Sequence, residues 1–139
     1  MTVSFSARRF LIAYGVVLLV LLVTDGFWLG WAARDFYARE MANVMADPVR
    51  IAPAAIFYLA YPLGLIYLGL MPLDRAASVG AAALRCALVA LFAYGTYDLT
   101  TLSVIRGWSV QLSLYDAMWG TFAGALAGAI AHRVTRDKT

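Results

Sequence analysis

The amino-acid sequence predicts an all-α membrane protein, an antiparallel bundle of four transmembrane helices with both termini in the cytoplasm. Hydrophobic residues make up 63% of the 139 residues and charged residues only 14%, against about 25% charged in an ordinary soluble domain. The apolar residues fall into four long runs separated by short connections, which favour antiparallel neighbours. A chain of this size and composition is predicted to form one domain embedded in the lipid bilayer.

Each of the four runs has about the 20 residues that a helix needs to cross a hydrocarbon core. The runs are too long for membrane-spanning strands and lack their alternating pattern. The first run is longer than the core of a secretory signal and has no clear small-x-small cleavage site, so it is predicted to be retained. The predicted helices cover about residues 10–33, 51–73, 84–105 and 111–131 of a single domain, 1–139.

Basic residues predict the orientation, because cytoplasmic loops carry an excess of Lys and Arg. With a cytoplasmic N-terminus, the cytoplasmic flanks contain Arg8, Arg9, Arg75, Arg85, Arg133, Arg136 and Lys138, and the outer loops contain Arg34, Arg39, Arg50 and Arg106. This bias, seven basic residues against four, predicts a multi-pass membrane protein with both termini in the cytoplasm. The basic residues flank apolar runs instead of forming a patch, so nucleic-acid binding is not predicted.

The longest loop, residues 34–49, is predicted to form a short interfacial helix around the segment "RDFYAREMANVM". Aromatic side chains lie near the predicted outer boundary just before this loop, within its first residues and beyond the third helix. Trp31, Phe36, Tyr37 and Trp108 are interpreted as interfacial anchors, as is common for Trp and Tyr.

Three of the four predicted helices contain one aspartate each, although an acid at the centre of a membrane helix costs roughly 2.5–3.5 kcal/mol. The predicted topology places Asp25, Asp98 and Asp116 in the outer half of the membrane at similar depth. Such acids usually face the interior of a bundle, where they pair with a partner or are protonated. Three acids without an equal number of buried bases favour a binding pocket over hydrogen bonds that only fix helix packing.

Aromatic and hydroxyl side chains accompany these acids at helical spacing. The pattern Asp-x-x-Trp occurs twice, as "DGFW" and "DAMW". In the second helix, Pro62 lacks an amide hydrogen, so the carbonyl of Tyr58 loses its helical partner and a kink is predicted. The predicted ligand-binding residues are Asp25, Trp28, Tyr58, Tyr61, Tyr94, Tyr97, Asp98, Thr101, Asp116 and Trp119.

Glycines recur every fourth residue in "GTFAGALAG", a spacing that lets two helices approach closely. Two partners are open for Gly120, Gly124 and Gly128: a second copy of the chain in a homo-oligomer, or a neighbouring helix of the same bundle. These three glycines form one helix face, here called the glycine stripe. The neighbouring helix is slightly preferred as their partner, because Asp116 lies on the same face, four residues before Gly120, and is expected to face the interior of the bundle.

Several chemistries are disfavoured. The one cysteine, Cys86, excludes an intramolecular disulfide, and the one histidine, His132, leaves too few ligands for most zinc sites and catalytic triads. Cys86 is interpreted as a small apolar filler and His132 as part of an interfacial helix end. No nucleotide, metalloprotease or hydrolase motif occurs, so no metal, cofactor or catalytic residue is predicted.

Four segments follow one another in an order that resembles a known family: "DGFWLG", "FYLAYPLGLIYLGLMP", "AYGTYDLTTL" and "RGWSVQLSLYDAMWGT". The chain resembles the bacterial four-helix inner-membrane family catalogued as domain of unknown function two-one-seven-seven. That resemblance implies the same topology, a multi-pass location in the bacterial inner (plasma) membrane and shared acid motifs, and it implies no activity. An asparagine often follows Tyr-Asp-Leu-Thr in the family, where this chain has Thr101.

Three functions remain open from the sequence. The favoured one is a pocket that binds a cation or small amphiphile, because intramembrane ionisable residues are functional by default. Transport is less supported than binding, since the cytoplasmic half offers few polar residues beyond Tyr14, Tyr67 and Arg85. The alternatives are a membrane-embedded enzyme acting on lipid or isoprenoid with an Asp–Tyr pair as acid and base, and a structural or assembly subunit of a membrane complex.

Overall fold

The computed structural model describes residues 5–136, which form helices and loops with no strand among them. Lys138, one of the basic residues used to predict the orientation, lies outside this range. The elements are α1 (Ala7–Phe27), which continues as a π-helical turn (Trp28–Ala32), α2 (Arg34–Glu40), α3 (Ile51–Gly64), which continues as a π-helical segment (Leu65–Leu70), α4 (Val79–Val104) and α5 (Val110–Arg136). The all-helical prediction is therefore confirmed, and α2 occupies the loop where a short helix was expected.

Two helices begin earlier than their apolar runs, because serine side chains cap them. Ser6 Oγ accepts a hydrogen bond from the amide of Arg9 (3.2 Å), and Ser78 Oγ accepts one from the amide of Ala81 (3.0 Å). A capping serine satisfies an amide that the first turn leaves without a partner. Hydropathy locates the apolar part of a helix, whereas hydrogen bonding extends α1 and α4 beyond it.

Three helices are long and apolar enough to cross a membrane. They are Ala7–Ala32, Ile51–Leu70 and Val79–Val104, with 26, 20 and 26 residues. The fourth predicted run, 111–131, lies within α5, which has 27 residues and is richer in glycine, alanine and polar side chains. By length and composition, α5 is not among the membrane-capable helices of the described chain.

The helices pack through small residues that recur every fourth position. On α4 these are Ala82, Cys86 and Ala90, all fully buried. A methyl group added to Gly124 or Gly128 of α5 would lie within 2.5 Å of Ala90 Cβ or of the Cys86 sulfur. Residue numbers rise along α5 as they fall along α4, so the two helices are antiparallel and in close backbone contact, as small residues permit.

The large apolar side chains point outward. Leu11 of α1, Ile51 of α3 and Phe92 of α4 are 68%, 78% and 73% exposed, respectively. A water-soluble monomer rarely exposes apolar surface on this scale. Small residues inside and large apolar residues outside are the arrangement expected of helices that contact lipid.

The proline in α3 is accommodated by a neighbouring helix. The α-helix continues past Pro62 to Gly64 and then changes to π-helical hydrogen bonding over Leu65–Leu70. The hydroxyl of Tyr14 on α1 donates to the carbonyl of Leu59, at 2.7 Å. Side chains of adjacent helices are a usual way to satisfy carbonyls near a proline. The sequence analysis predicted that the carbonyl of Tyr58 would lack a helical partner. In the structure, the carbonyl that receives a side-chain donor is that of the next residue, Leu59.

Candidate ligand-binding site

The carboxylate of Asp25 joins three helices. The Tyr58 hydroxyl of α3 donates to Asp25 Oδ2 at 2.7 Å, and Trp119 Nε1 of α5 donates to Asp25 Oδ1 at 3.0 Å. Asp25 is only 7% exposed and continues the every-fourth-residue stripe of α1 through Ala13, Val17 and Leu21. Each carboxylate oxygen therefore has a donor, which is how a buried acid is stabilised.

Helix α2 packs over the same end of the molecule and contributes a second hydrogen-bonded acid. The hydroxyl of Tyr37 donates to Asp116 Oδ1 at 2.7 Å and accepts a hydrogen bond from Trp28 Nε1 at 3.2 Å. The rings of Trp28 and Trp119 stack, with centroids 4.4 Å apart and an interplanar angle of 6°. These contacts link α1, α2 and α5.

Asp98 has no such donors. Its side chain is 1% exposed, and neither carboxyl oxygen has a hydrogen-bond partner among the residues that the structure describes. Its carboxyl group faces that of Asp116. Asp98 extends the buried stripe of α4 beyond Ala90 and Tyr94, so close helix packing places this acid inside the molecule. A buried carboxylate without donors is costly, and two facing carboxyl groups call for a proton or a cation between them.

An open cavity of about 320 Å³, here called the aromatic cavity, lies between α1, α3, α4 and α5 beside these acids. Among residues 5–136, no Lys, Arg or His side chain lines it. The lining consists of two acids, six aromatic side chains and two aliphatic ones: Asp25, Trp28, Leu29, Phe57, Tyr58, Ala93, Tyr94, Tyr97, Asp116 and Trp119.

Seven predicted ligand-binding residues line this cavity: Asp25, Trp28, Tyr58, Tyr94, Tyr97, Asp116 and Trp119. The other three do not. Asp98 neighbours Asp116 but is not part of the cavity wall, and Thr101 is half-buried one helical turn farther along α4. Tyr61 lines a neighbouring cavity beside Arg85, and its hydroxyl is buried without a partner in the described chain. A role in ligand binding stays a prediction for all ten.

Tyr37 is the main site residue that the sequence analysis missed. It was interpreted as an interfacial anchor, but it is 8% exposed and hydrogen-bonded within the site. The spacing of Ala33 and Tyr37 could have indicated this burial, because the two residues are four apart and lie on the same face of α2, and both are buried in the structure. Burial, reinforced by the neighbouring Asp116, raises the pKa of Tyr37 above its ordinary value, so the phenol stays protonated and keeps donating to Asp116.

A second polar cluster lies at the opposite end of the bundle. His132 is fully buried, with Nε2 at 2.8 Å from the carbonyl of Ala77, and its position at an interfacial helix end stays a prediction. Arg9 is 2% exposed and donates from Nε to Thr135 Oγ1 at 3.4 Å. Its guanidinium also lies 4.3 Å from the ring centre of Phe5. These residues tie the ends of α1 and α5 together.

The glycine stripe faces α4 of the same chain. A methyl group added to Gly120 would lie 2.4 Å from the ring of Tyr94, so this glycine makes room for a cavity-lining side chain. The neighbouring helix in the bundle is thus the partner of the stripe in this structure. No group of three or more His, Cys, Asp or Glu side chains within residues 5–136 is placed to hold a metal ion.

Comparison with known proteins identifies one family. The model of a family described as "Predicted membrane protein (DUF2177)" matches residues 10–133. No curated protein and no solved structure matches the chain.

Proposed function

Because the chain belongs to DUF2177, a family of predicted membrane proteins, we propose that it is a multi-pass protein of the bacterial inner membrane that binds a small amphiphile or cation in the aromatic cavity. In this proposal α1, α3, α4 and α5 each cross the bilayer once. The N- and C-termini are cytoplasmic, and the aromatic cavity lies in the outer half of the membrane.

Two features support a fourth crossing by α5. Its 27 residues span about 40 Å at 1.5 Å per residue, more than the roughly 30 Å of a hydrocarbon core. Its small and polar face is covered by α1 and α4, which leaves apolar side chains such as Leu114, Met118 and Phe122 more than half exposed. A helix shielded in this way needs less overall hydropathy to lie in lipid.

The observation that carries the binding proposal is the combination of an open apolar cavity with buried acids in its wall. Pockets for small molecules are mostly apolar and contain a few fixed polar groups that orient the ligand. Here Asp25 is fixed by Tyr58 and Trp119, and Asp116 by Tyr37. If the aromatic side chains served only to pack the helices, we would expect side chains to fill the space between them, because filled interiors are more stable than open cavities.

A structural role is the second candidate, and the hydrogen-bond network itself favours it. The contacts of Asp25 and Asp116 join α1, α2, α3 and α5, and such bonds stabilise membrane bundles by about 0.6 kcal/mol each. The two candidates differ in one respect: only ligand binding requires the cavity to be accessible.

Native mass spectrometry of the purified protein in detergent tests this difference with a cavity-filling variant. Ala93 lines the cavity and is exposed, so Ala93→Phe fills space without removing a hydrogen bond. Ala52→Phe, at an exposed position of α3 on the helix face opposite Phe57 and Tyr58, is the matched control. We expect an additional small-molecule mass on the wild type and on Ala52→Phe, and its loss from folded Ala93→Phe. An identical mass distribution for all three proteins would contradict ligand binding in this cavity.

A further inference from the structure

The charge in and around the aromatic cavity has one sign. Asp25 and Asp116 are in its wall, Asp98 neighbours Asp116, and no basic side chain of residues 5–136 lines the cavity. In a low-dielectric environment, neighbouring carboxylates without a base leave uncompensated negative potential. An anionic ligand would therefore be repelled, and a cationic one would be attracted.

The buried carboxyl oxygens without a donor among the described residues lie at one end of the cavity. Both oxygens of Asp25 accept hydrogen bonds, from Tyr58 and Trp119, whereas Asp98 is 1% exposed and has no donor on either oxygen among residues 5–136. Asp116 neighbours Asp98 and lines the cavity, and its Oδ1 accepts a hydrogen bond from Tyr37. A positive group beside Asp116 would be attracted by both of these carboxyl groups.

The walls suit an organic cation. Six aromatic side chains line the cavity: Trp28, Phe57, Tyr58, Tyr94, Tyr97 and Trp119. Aromatic faces attract ammonium groups, and cages of such rings are the usual site for alkylated ammonium ions. A bare metal ion would instead require several oxygen or nitrogen ligands, and the described residues contain no group of three acidic, His or Cys side chains placed to bind one.

The size of the cavity limits the head group, and its opening allows a tail. At about 320 Å³ it is at the small end of ligand pockets, which span roughly 300–1,000 Å³. Leu29 and Phe57 line it and are 44% and 41% exposed, so apolar surface continues from the cavity to the outside of the bundle. An apolar chain attached to the head group would leave along that surface.

We propose that the ligand of the aromatic cavity is an organic ammonium compound, a protonated amine or quaternary ammonium on an apolar body, whose cationic head lies among the rings beside Asp116 and Asp98. This inference rests on the proposed function and specifies its ligand class. The acids are costly to bury, and the ammonium head offsets that cost.

Binding of three amphiphiles with the same six-carbon chain tests the inference: hexyltrimethylammonium, hexanol and hexyl sulfate. Tryptophan fluorescence of the protein in dodecyl maltoside reports binding, because Trp28 and Trp119 line the cavity, and native mass spectrometry counts bound molecules. We expect the ammonium compound to bind at least about tenfold more tightly than the alcohol, and the sulfate to bind least.

Charge-removing variants identify the cause of the preference. Asp116→Asn keeps an oxygen that accepts from Tyr37 and is expected to reduce the ammonium preference over hexanol to less than about threefold. Asp98→Asn is a second variant of the same charge, and Asp35→Asn, on the exposed side of α2, is the matched control. Circular dichroism establishes that each variant is folded.

The outcomes separate this inference from the proposed function. Equal binding of hexyltrimethylammonium and hexanol to the wild type would overturn the ammonium head group and leave an amphiphile site in place. An ammonium preference that persists in both Asp116→Asn and Asp98→Asn would also overturn it. If none of the three amphiphiles binds the wild type, the proposed function fails together with the inference.

Discussion

Among single side chains, the three buried aspartates differ in what surrounds them. Asp25 has a donor on each carboxylate oxygen, Asp116 has Tyr37, and Asp98 has neither of its oxygens satisfied within the described chain. The three aspartates are chemically identical in the sequence, but the free-energy cost of burying each one differs because their hydrogen-bond donors differ. Asp25 is suited to holding helices together, whereas Asp98 and Asp116 are better suited to attracting a positive group.

The hydrogen bond between Tyr58 and Asp25 is expected to contribute to stability. Tyr58→Phe removes the donor to Oδ2 and should lower the free energy of unfolding by about 0.6–1.7 kcal/mol, the range measured for hydrogen bonds between membrane helices. A double-mutant cycle with Asp25→Leu, which removes both acceptor oxygens, measures the coupling between the two side chains in mixed detergent micelles. Tyr67→Phe, at an exposed tyrosine of the same helix, is the control. Additive losses in the cycle would contradict this role of Asp25.

The buried phenol of Tyr37 predicts a pH dependence. Burial and Asp116 raise the pKa of Tyr37 in the folded protein, whereas an unfolded tyrosine titrates near pH 10. The neutral phenol is thus favoured by folding, so its contribution is complete below about pH 10 and declines above it. Ultraviolet absorbance of tyrosinate should show the same number of tyrosines ionising between pH 10 and 11 in the wild type and in Tyr37→Phe. Fewer in the variant would contradict the burial of this hydroxyl.

Among the helices, the closest association is between α4 and α5. Small residues every fourth position on both helices allow backbone contact, and the same stripe on α4 continues through Tyr94 to Asp98. Close packing at one end of the stripe therefore determines the position of the acid at the other end. Because α5 has no side chain at Gly120, the ring of Tyr94 fits there and faces the aromatic cavity.

A pair of glycine substitutions tests this packing. A methyl group at Gly128 would lie 2.4 Å from the sulfur of Cys86, whereas a methyl group at Gly95 of α4 would meet nothing within 4 Å. Gly128→Ala should lower the free energy of unfolding by about 1–3 kcal/mol through overpacking. Gly95→Ala should leave it unchanged or raise it by up to about 1 kcal/mol, because alanine favours a helix. Equal effects in a denaturant titration would show that α4 and α5 do not approach as closely as described.

The molecule as a whole has two polar ends with an apolar middle. One end contains α2 and the aromatic cavity, and the other contains the buried Arg9, His132 and Thr135. Between them the interior consists of small and aliphatic residues such as Val17, Leu65 and Ala127. No polar path connects the two ends among the core residues described, which favours binding from one side of the membrane over passage through it.

Accessibility labelling tests the proposed orientation. Ala38 on α2 and Ala76 in the loop between α3 and α4 are exposed at opposite ends of the molecule, whereas the native Cys86 is buried. In intact cells, a membrane-impermeant maleimide should label Ala38→Cys and should label Ala76→Cys only after the inner membrane is opened. The reverse pattern would place the cavity in the cytoplasmic half, and labelling of both in intact cells would contradict the topology.

The sequence is sufficient for the features that depend on composition along the chain. Length and hydropathy predicted the helices, and the family resemblance carried by motifs such as "AYGTYDLTTL" is confirmed by the match over residues 10–133. The similar depth of Asp25, Asp98 and Asp116 in the membrane stays a prediction. These properties follow from the 1.5 Å rise per residue and the order of the helices, which are the same for any packing of the bundle.

Contacts between helices could not be obtained in this way, because they depend on the rotation of each helix about its axis and on how closely the backbones approach. That rotation buries Tyr37 and His132, which the sequence placed at the membrane surface, and it keeps Tyr61, Asp98 and Thr101 out of the cavity wall. It also separates Asp25, which has two donors, from Asp98, which has none. Hydropathy contains no information on which neighbour a buried polar atom meets, since that is decided by side chains distant in sequence.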